Sequence, residues 1–227
     1  MRIAEIYESR QGEGLLTGTP SVFIRASGCN LRCSFCDTRF ASWEPEGADT
    51  SVDDIVAQAE SFSARHAVIT GGEPMLFAEL IPLCRKLREA GFHLTIETAG
   101  TLDLPVVCDL MSISPKRANS TPDESAGKWV ERHERSRHRP EVVSRLMRDY
   151  DYQLKFVIDT PADLTDVEAY LAEFPDVRGE RVLLMPLGTS MEELSARTPW
   201  VEAACQSRGW VYCPRKHVEW YGFQRGT

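Results

Sequence analysis

Three features are missing from this sequence, and each absence narrows what the chain can be. No run approaches the roughly 18 consecutive apolar residues of a membrane span, and the opening Met1-Arg2-Ile3-Ala4-Glu5 carries no apolar core of a secretion signal. The expectation is a cytoplasmic protein without a membrane partner. An excess of basic charge is missing too: 26 Lys and Arg stand against 34 Asp and Glu, a formal net charge of −8. Such a chain does not neutralise phosphates over a broad face, which argues against direct nucleic-acid binding and for small-molecule chemistry. Repeats and low-complexity runs are absent as well. That leaves 227 residues, 42% of them hydrophobic, to bury a core as one domain over 1–227.

Of the seven cysteines, Cys84, Cys108, Cys205 and Cys213 are scattered and mostly in apolar runs, the pattern of small buried hydrophobes in a reducing compartment. The other three lie inside Gly28-Cys29-Asn30-Leu31-Arg32-Cys33-Ser34-Phe35-Cys36-Asp37-Thr38, at C-x3-C-x2-C spacing. Thiolates this close in sequence converge only on something small and electron-poor. An iron–sulfur cluster needs four such ligands for full coordination, so three leave one iron open to a small molecule, which describes a catalytic cluster better than an electron-transfer one. Structural zinc is the competing reading, and a tetrahedral site needs a second pair downstream to close it. No further C-x2-C follows, and His66 and His93 are lone histidines.

Residues 2–7 alternate, and Ser9-Arg10-Gln11-Gly12-Glu13-Gly14 then breaks the pattern as a loop. Residues 20–27 form a β-branched and aromatic strand that runs straight into the cysteine loop. The spacing predicts a helix from Ser51, capped with Asp54, to about Phe62, then a buried strand at 66–70. A helix after Pro74 would carry Leu76, Leu80, Leu83, Cys84 and Leu87 on one face before Gly91. Further strands are predicted at 92–98, 106–112, 152–158 and 181–185, with a short last one at 210–213. Thr160-Pro161-Ala162-Asp163 caps a helix to about Phe174, and Thr198-Pro199 opens another. In residues 117–150 acids interleave the bases between Lys128 and Arg135, and a helix follows Pro140. This segment reads as a solvated lid or insertion rather than a nucleic-acid patch, and shortening it is expected to leave the cysteine loop intact.

Strands alternating with helices imply parallel pairing through right-handed crossovers, hence an α/β fold with an open sheet or partial barrel of about six strands. The unusual residues follow the C-terminal ends of these strands. They are the cysteine loop, Gly71-Gly72-Glu73, Glu97-Thr98, Ser114-Pro115-Lys116 and Met185-Pro186. That edge is where such folds build their sites. The paired glycines are expected to let backbone approach a ligand without a Cβ in the way. Lys155, in an otherwise buried strand, must face a carboxylate or the cleft.

The cysteines read together with Thr70-Gly71-Gly72-Glu73-Pro74 resemble the radical S-adenosylmethionine enzymes. Ser9 to Gly14, Val22 to Arg25, Cys36-Asp37-Thr38, Ile96 to Gly100, Ile113 to Lys116, Gln153 to Val157 and a tail with His217, Trp220 and Arg225 narrow the resemblance to the 7-carboxy-7-deazaguanine synthase family. It covers the chain apart from residues 117–150. The resemblance implies an open partial β/α barrel and a [4Fe–4S] cluster on Cys29, Cys33 and Cys36. It implies S-adenosylmethionine held by Phe35, Asp37, Gly72, Glu73, Ser114, Pro115 and Lys116, with Met185, Pro186, Leu187 and Gly188 along its far end. Many relatives carry glutamine where Met185 stands, and a thioether can touch adenine but cannot donate to it.

The reaction the resemblance implies is a radical ring contraction of 6-carboxy-5,6,7,8-tetrahydropterin to 7-carboxy-7-deazaguanine with loss of ammonia, S-adenosylmethionine being regenerated. Arg10, Gln11, Gly12, Glu13, Arg25, Thr70, His217 and Thr227 would face the pterin, and Thr38 a Mg²⁺ ion. Arg25 offers a planar fork for the pterin carboxylate or for acids near it. Glu97 and Lys155 would handle protons. An electron donor of flavodoxin or ferredoxin type and a homodimer are also implied. A glycyl-radical activating enzyme acting on a protein partner and a non-catalytic metal or iron–sulfur module are the other readings these motifs leave open.

Overall fold

The strand before the cysteine loop completely buries Val22, Ile24 and Ala26, and the next strand buries Ala67 and Ile69 in the same way. Near-continuous apolar runs of this kind belong to strands covered on both faces, as in a parallel sheet carrying helices. The computed structural model describes residues 1–227 and shows that sheet. In chain order its elements are β1 (Arg2–Arg10), β2 (Pro20–Ala26), α1 (Arg39–Ser42), β3 (Ala48–Asp49), α2 (Val52–Glu60), β4 (His66–Gly71), α3 (Leu80–Glu89), β5 (His93–Thr98) and β6 (Leu110–Ile113). Then come α4 (Lys128–Arg137), α5 (Pro140–Asp149), β7 (Tyr152–Ile158), α6 (Ala162–Leu171), β8 (Val182–Pro186), α7 (Met191–Arg208), β9 (Val211–Tyr212) and α8 (Lys216–Tyr221).

The nine strands pair in the order β3-β1-β2-β4-β5-β6-β7-β8-β9 and do not close, so the sheet is an open, mostly parallel one. The six expected strands are its centre. β1 joins them antiparallel to β2, β3 antiparallel to β1, and β9 parallel to β8. Side-chain alternation then divides labour across the sheet. Ile24, Ile69, Ile96, Met111, Leu154, Phe156 and Leu184 go to the helix side and join a core cluster of 37 buried residues. Their neighbours Arg25, Thr70, Glu97, Ser112, Lys155 and Met185 turn to the other face and line one cavity.

Four expectations are corrected. The helix after Pro74 is a single 3₁₀ turn, Pro74–Leu76, followed by a separate α3, and Leu76 is 43% exposed rather than in the core. β6 starts at Leu110, not Val106, because Asp109 spends its carboxylate on the N–H of Leu94 and the chain enters the sheet only after it. α6 ends close to its expected position, at Leu171, whereas α7 starts at Met191 rather than after Thr198. Ser190 and Glu193 form a full capping box there, a stronger start signal than Thr198-Pro199. The helix absorbs Pro199 in its interior, where Thr198 Oγ1 bonds Leu194 O and the Tyr212 hydroxyl.

The fourth correction concerns residues 117–150. Only part of this segment is exposed: α5 is the crossover helix between β6 and β7, and its Val142, Val143 and Leu146 lie in the main core. Ser120 and His133 are fully buried against the cysteine loop. Interleaved charge marked the outer face of α4 correctly and hid the inner one. Shortening the segment is therefore expected to disturb both the core and the loop.

Candidate active site

The cavity encloses about 540 Å³ along the C-terminal edge and inner face of the sheet, and all three clustered cysteines line it. Their loop is fastened from several sides. Gly28 N–H donates to Ala41 O at 2.8 Å, Trp43 Nε1–H to Cys33 O at 3.1 Å, and Leu31 N–H points at Cys29 Sγ at 3.4 Å. The Cys36 sulfur meets Ser42 Oγ at 3.1 Å. Burial pushes the Cys29 and Cys33 thiols up to about 12, so thiolates form there only against an electropositive partner. No three His, Cys, Asp or Glu side chains converge tightly enough for one ion. All three thiols face the one cavity, a donor set that suits an iron–sulfur cluster with one iron left open. A zinc-type H-x4-H spacing does occur at His133 and His138, but the two diverge: His133 is buried against the cysteine loop, and the exposed His138 faces Glu173 at 3.5 Å.

The glycine turn after β4 serves the cysteine loop more directly than expected. A Cβ on Gly72 would stand 2.1 Å from Gly28 O and 2.5 Å from Ala41 O, and one on Gly71 2.0 Å from Ala26 O. The missing side chains therefore let two loops touch; Gly72 also borders the cavity. Glu73 does not reach it. Its carboxylate, fully buried, accepts from Thr98 Oγ1 at 2.9 Å, Ala99 N–H at 2.8 Å and Met75 N–H at 3.1 Å. Burial still holds that carboxyl above its ordinary range. Glu73 ties the β4 and β5 ends together and is placed as a brace.

A charged network crosses the sheet side of the cavity. Lys155 Nζ donates to Glu13 Oε2 at 2.5 Å and to Glu97 Oε1 at 3.3 Å, while Glu97 Oε2 accepts from Thr70 Oγ1 at 2.7 Å. Arg215 donates to Glu13 Oε1 at 3.0 Å, Asp37 Oδ2 at 2.5 Å and Gly188 O at 2.6 Å. Against the cost of burial, the two cations hold the Glu13 carboxyl well below the usual range, and its charge together with Glu97 holds Lys155 well above its own. Burial holds the His217 imidazole below its ordinary value, against the pull of Glu13. Sequence reasoning missed Arg215, the hub of this network; the basic run Pro214-Arg215-Lys216-His217 after the last strand was the available signal.

The other expected residues mostly converge here. Arg10, Gln11, Gly12, Arg25, Phe35, Thr38, Ser114, Lys116, Met185, Pro186, Leu187 and Thr227 all line the cavity, whereas Pro115 and Gly188 do not. Arg25 is engaged by Glu5 at 2.7 Å and the Tyr7 hydroxyl at 2.9 Å, two partners that the sequence did not flag. Lys116 Nζ donates to Ser114 Oγ at 2.8 Å. The C-terminal segment closes over the N-terminal loop: Lys216 N–H donates to Gly12 O at 2.8 Å, and a Cβ on Gly12 would meet His217 at 2.5 Å. Thr38 makes no cap bond to α1, and its hydroxyl has only the Cys36 sulfur, 3.9 Å away.

The Radical SAM superfamily model matches residues 23–150. A 7-carboxy-7-deazaguanine synthase from Rhodopirellula baltica is 44% identical, covering 99% of this chain and 88% of the relative. Another from Halobacterium salinarum is 46% identical, covering 95% of this chain and 88% of the relative. The crystal structure of QueE from Escherichia coli superposes with a TM-score of 0.69 at 26% identity, covering 94% of this chain and 92% of that one. Streptococcus suis SuiB bound to S-adenosylmethionine shares the fold alone, at a TM-score of 0.52 and 13% identity over 87% of this chain and 54% of that one.

Proposed function

The chain belongs to the 7-carboxy-7-deazaguanine synthases of the radical S-adenosylmethionine superfamily, and on that premise we propose that its cavity contracts the ring of 6-carboxy-5,6,7,8-tetrahydropterin to give 7-carboxy-7-deazaguanine and ammonia. One observation carries the reading: the three cysteines, the Lys155–Glu97 pair and the Arg25 guanidinium face a single cavity. A cluster held by Cys29, Cys33 and Cys36 would, with S-adenosylmethionine bound and one electron from a carrier protein, supply the radical chemistry that starts the ring contraction. The chain's own residues do the rest. Arg25, Arg10 and His217 receive the anionic end of the substrate, and Arg25 keeps Nη1 free of a protein partner for it. Ser114, Lys116, Phe35 and Met185 border the cofactor's side. Glu97, 33% exposed at its side chain, shuttles protons at Oε1, with Lys155 as its charged neighbour.

Incubation with S-adenosylmethionine, a strong reductant and the carboxytetrahydropterin tests this. Ammonia release with a new deazapurine chromophore is the expected result. Formation of 5′-deoxyadenosine without pterin turnover would point instead to an activating enzyme for a protein partner.

The whole chain works as one domain, because a single sheet and one main core run through it. No helix is long and apolar enough to cross a membrane, and a cytoplasmic site of action, an electron carrier of flavodoxin or ferredoxin type and a homodimer complete the reading. Sedimentation at micromolar concentration measures the homodimer.

Thr38 is assigned to Mg²⁺. Its hydroxyl borders the cavity and is spent on no backbone group, and a hard cation takes such an oxygen along with waters and substrate oxygens. The ion would orient the pterin. Thr38→Ala is expected to lower turnover and to raise the magnesium required, with S-adenosylmethionine binding retained. Unchanged activity across a magnesium titration after chelator treatment would return Thr38 to an ordinary loop role.

A further inference from the structure

Both amides flanking Cys33 are held from outside the cysteine loop, and by the same segment. Arg32 N–H donates to Nδ1 of His133 at 3.1 Å, and Ser34 N–H donates to Ser120 O at 2.9 Å. Because Nδ1 accepts, the ring proton sits on Nε2, which donates to Ser120 Oγ at 3.0 Å. That hydroxyl donates in turn to Arg117 O at 2.6 Å. The imidazole is completely buried, at 0% exposure, and burial pushes it down to about 4, so it is a neutral bridge with both nitrogens in use. The Arg32 side chain is clamped at its other end. Nη1 donates to the carbonyls of Cys29 and Leu31 at 2.8 and 2.7 Å, and the guanidinium lies 3.9 Å from the centre of the Trp129 ring. α4 is otherwise a strongly polar helix, and its one fully buried side chain is spent on this contact.

We propose that His133 is a positioning residue for the iron–sulfur site: by accepting the Arg32 N–H it sets the peptide that leads into Cys33 and so presents that thiol in a preset geometry. Without this acceptor, a buried donor beside the ligand would turn elsewhere, toward a cysteine sulfur or into strain. Groups behind a ligand orient it and tune the metal in the same way in well-characterised metal sites. The proposal rests on the reading that Cys29, Cys33 and Cys36 hold the cluster.

Three variants separate positioning from packing. In His133→Asn the amide oxygen overlays Nδ1 and keeps the acceptor for Arg32, at the cost of a void toward Ser120. In His133→Gln the volume is better kept, but the amide reaches the Nε2 position and leaves Arg32 unpartnered. His133→Leu removes both bonds. Anaerobically reconstituted holoenzyme is challenged with a chelator, iron loss and the electron paramagnetic resonance of the reduced cluster are followed, and Tm is measured in parallel. The expected result is iron loss in the Asn variant within about twofold of the parent, and in Gln and Leu faster by on the order of 10–100-fold. Amide exchange at Arg32 in cluster-free protein reads the same bond without the metal: protected in Asn, fast in Gln. A role in packing alone ranks Gln above Asn in both Tm and iron retention. That order, or equal iron loss in parent and all variants, overturns the proposal. A parent protein that retains no iron would overturn the cluster reading instead.

Discussion

Replacing any one of Cys29, Cys33 or Cys36 by alanine is expected to remove the cluster and the turnover together. The three thiols are the only cysteines on the cavity wall, and a cluster already short of a fourth protein ligand cannot lose another and stay bound. The loss of iron should exceed the roughly 10–100-fold typical of altering only a ligand's hydrogen-bond partner. Anaerobic iron counting on the purified variants measures it. Cys84→Ala and Cys108→Ala serve as controls, because both thiols sit on the helix side of the sheet with the main core. Full iron content in a variant of Cys29, Cys33 or Cys36 would make another thiol the ligand. Cys213 would then be examined first, since it is buried under Gly14 at 3.1 Å and adjoins Lys155.

Lys155→Met is expected to abolish turnover and to destabilise the holoenzyme by roughly 3–5 kcal/mol, the cost of breaking a buried ion pair from one side. For a chain of this length that is a fall in Tm of about 6–20 °C. The reason is the geometry: Lys155 Nζ bridges Glu13, from the loop after β1, and Glu97, near the end of β5. Arg215 still faces Glu13 in the variant, but Glu97 keeps only the Thr70 hydroxyl. The pH dependence follows from the direction of the shifts. Glu13 is held below its ordinary 4.5, so the stability it contributes is present above that pH and fades as the pH falls through and below it. Lys155 is held above its ordinary 10.5, so its contribution is full below that pH and is lost as the pH rises beyond it. The gap between parent and variant should therefore be widest near neutrality and narrow below about pH 5, where protonation relieves the carboxylates left behind. Urea unfolding of the holoenzyme from pH 4 to 8 measures it, and a gap that widened toward acid would refute the assignment of Lys155 to these acids.

Much of the fold was readable because side-chain period reports burial directly. The strands carrying Ile24, Ile69 and Leu154 were identifiable from apolar pattern alone, and their register was enough to put the unusual residues on one edge. Reading failed where a local signal was outbid by another. Thr198-Pro199 is a good helix start by itself, yet the Ser190–Glu193 box eight residues earlier nucleates the helix and carries it through the proline. Leu76 has the right spacing for α3, but Pro74 closes a 3₁₀ turn first and leaves it outside. Residues 117–150 misled because a helix with one buried histidine has almost the composition of a solvated one.

What the sequence determined by itself was the donor set: three thiols at close spacing and the glycine turn beside them. Such features are legible because C-x3-C-x2-C brings its thiols together within eight residues, and no long loop has to close before they meet. What only the tertiary structure decided was who faces whom. Lys155 meets Glu13 across 142 positions, Arg215 meets Asp37 across 178, and Arg32 meets His133 across 101. None of these pairs has a local spacing to betray it. Each exists because the chain packs distant segments against one another around the cavity and the cysteine loop, where burial leaves a charge or a buried amide no partner except the one the fold sets opposite.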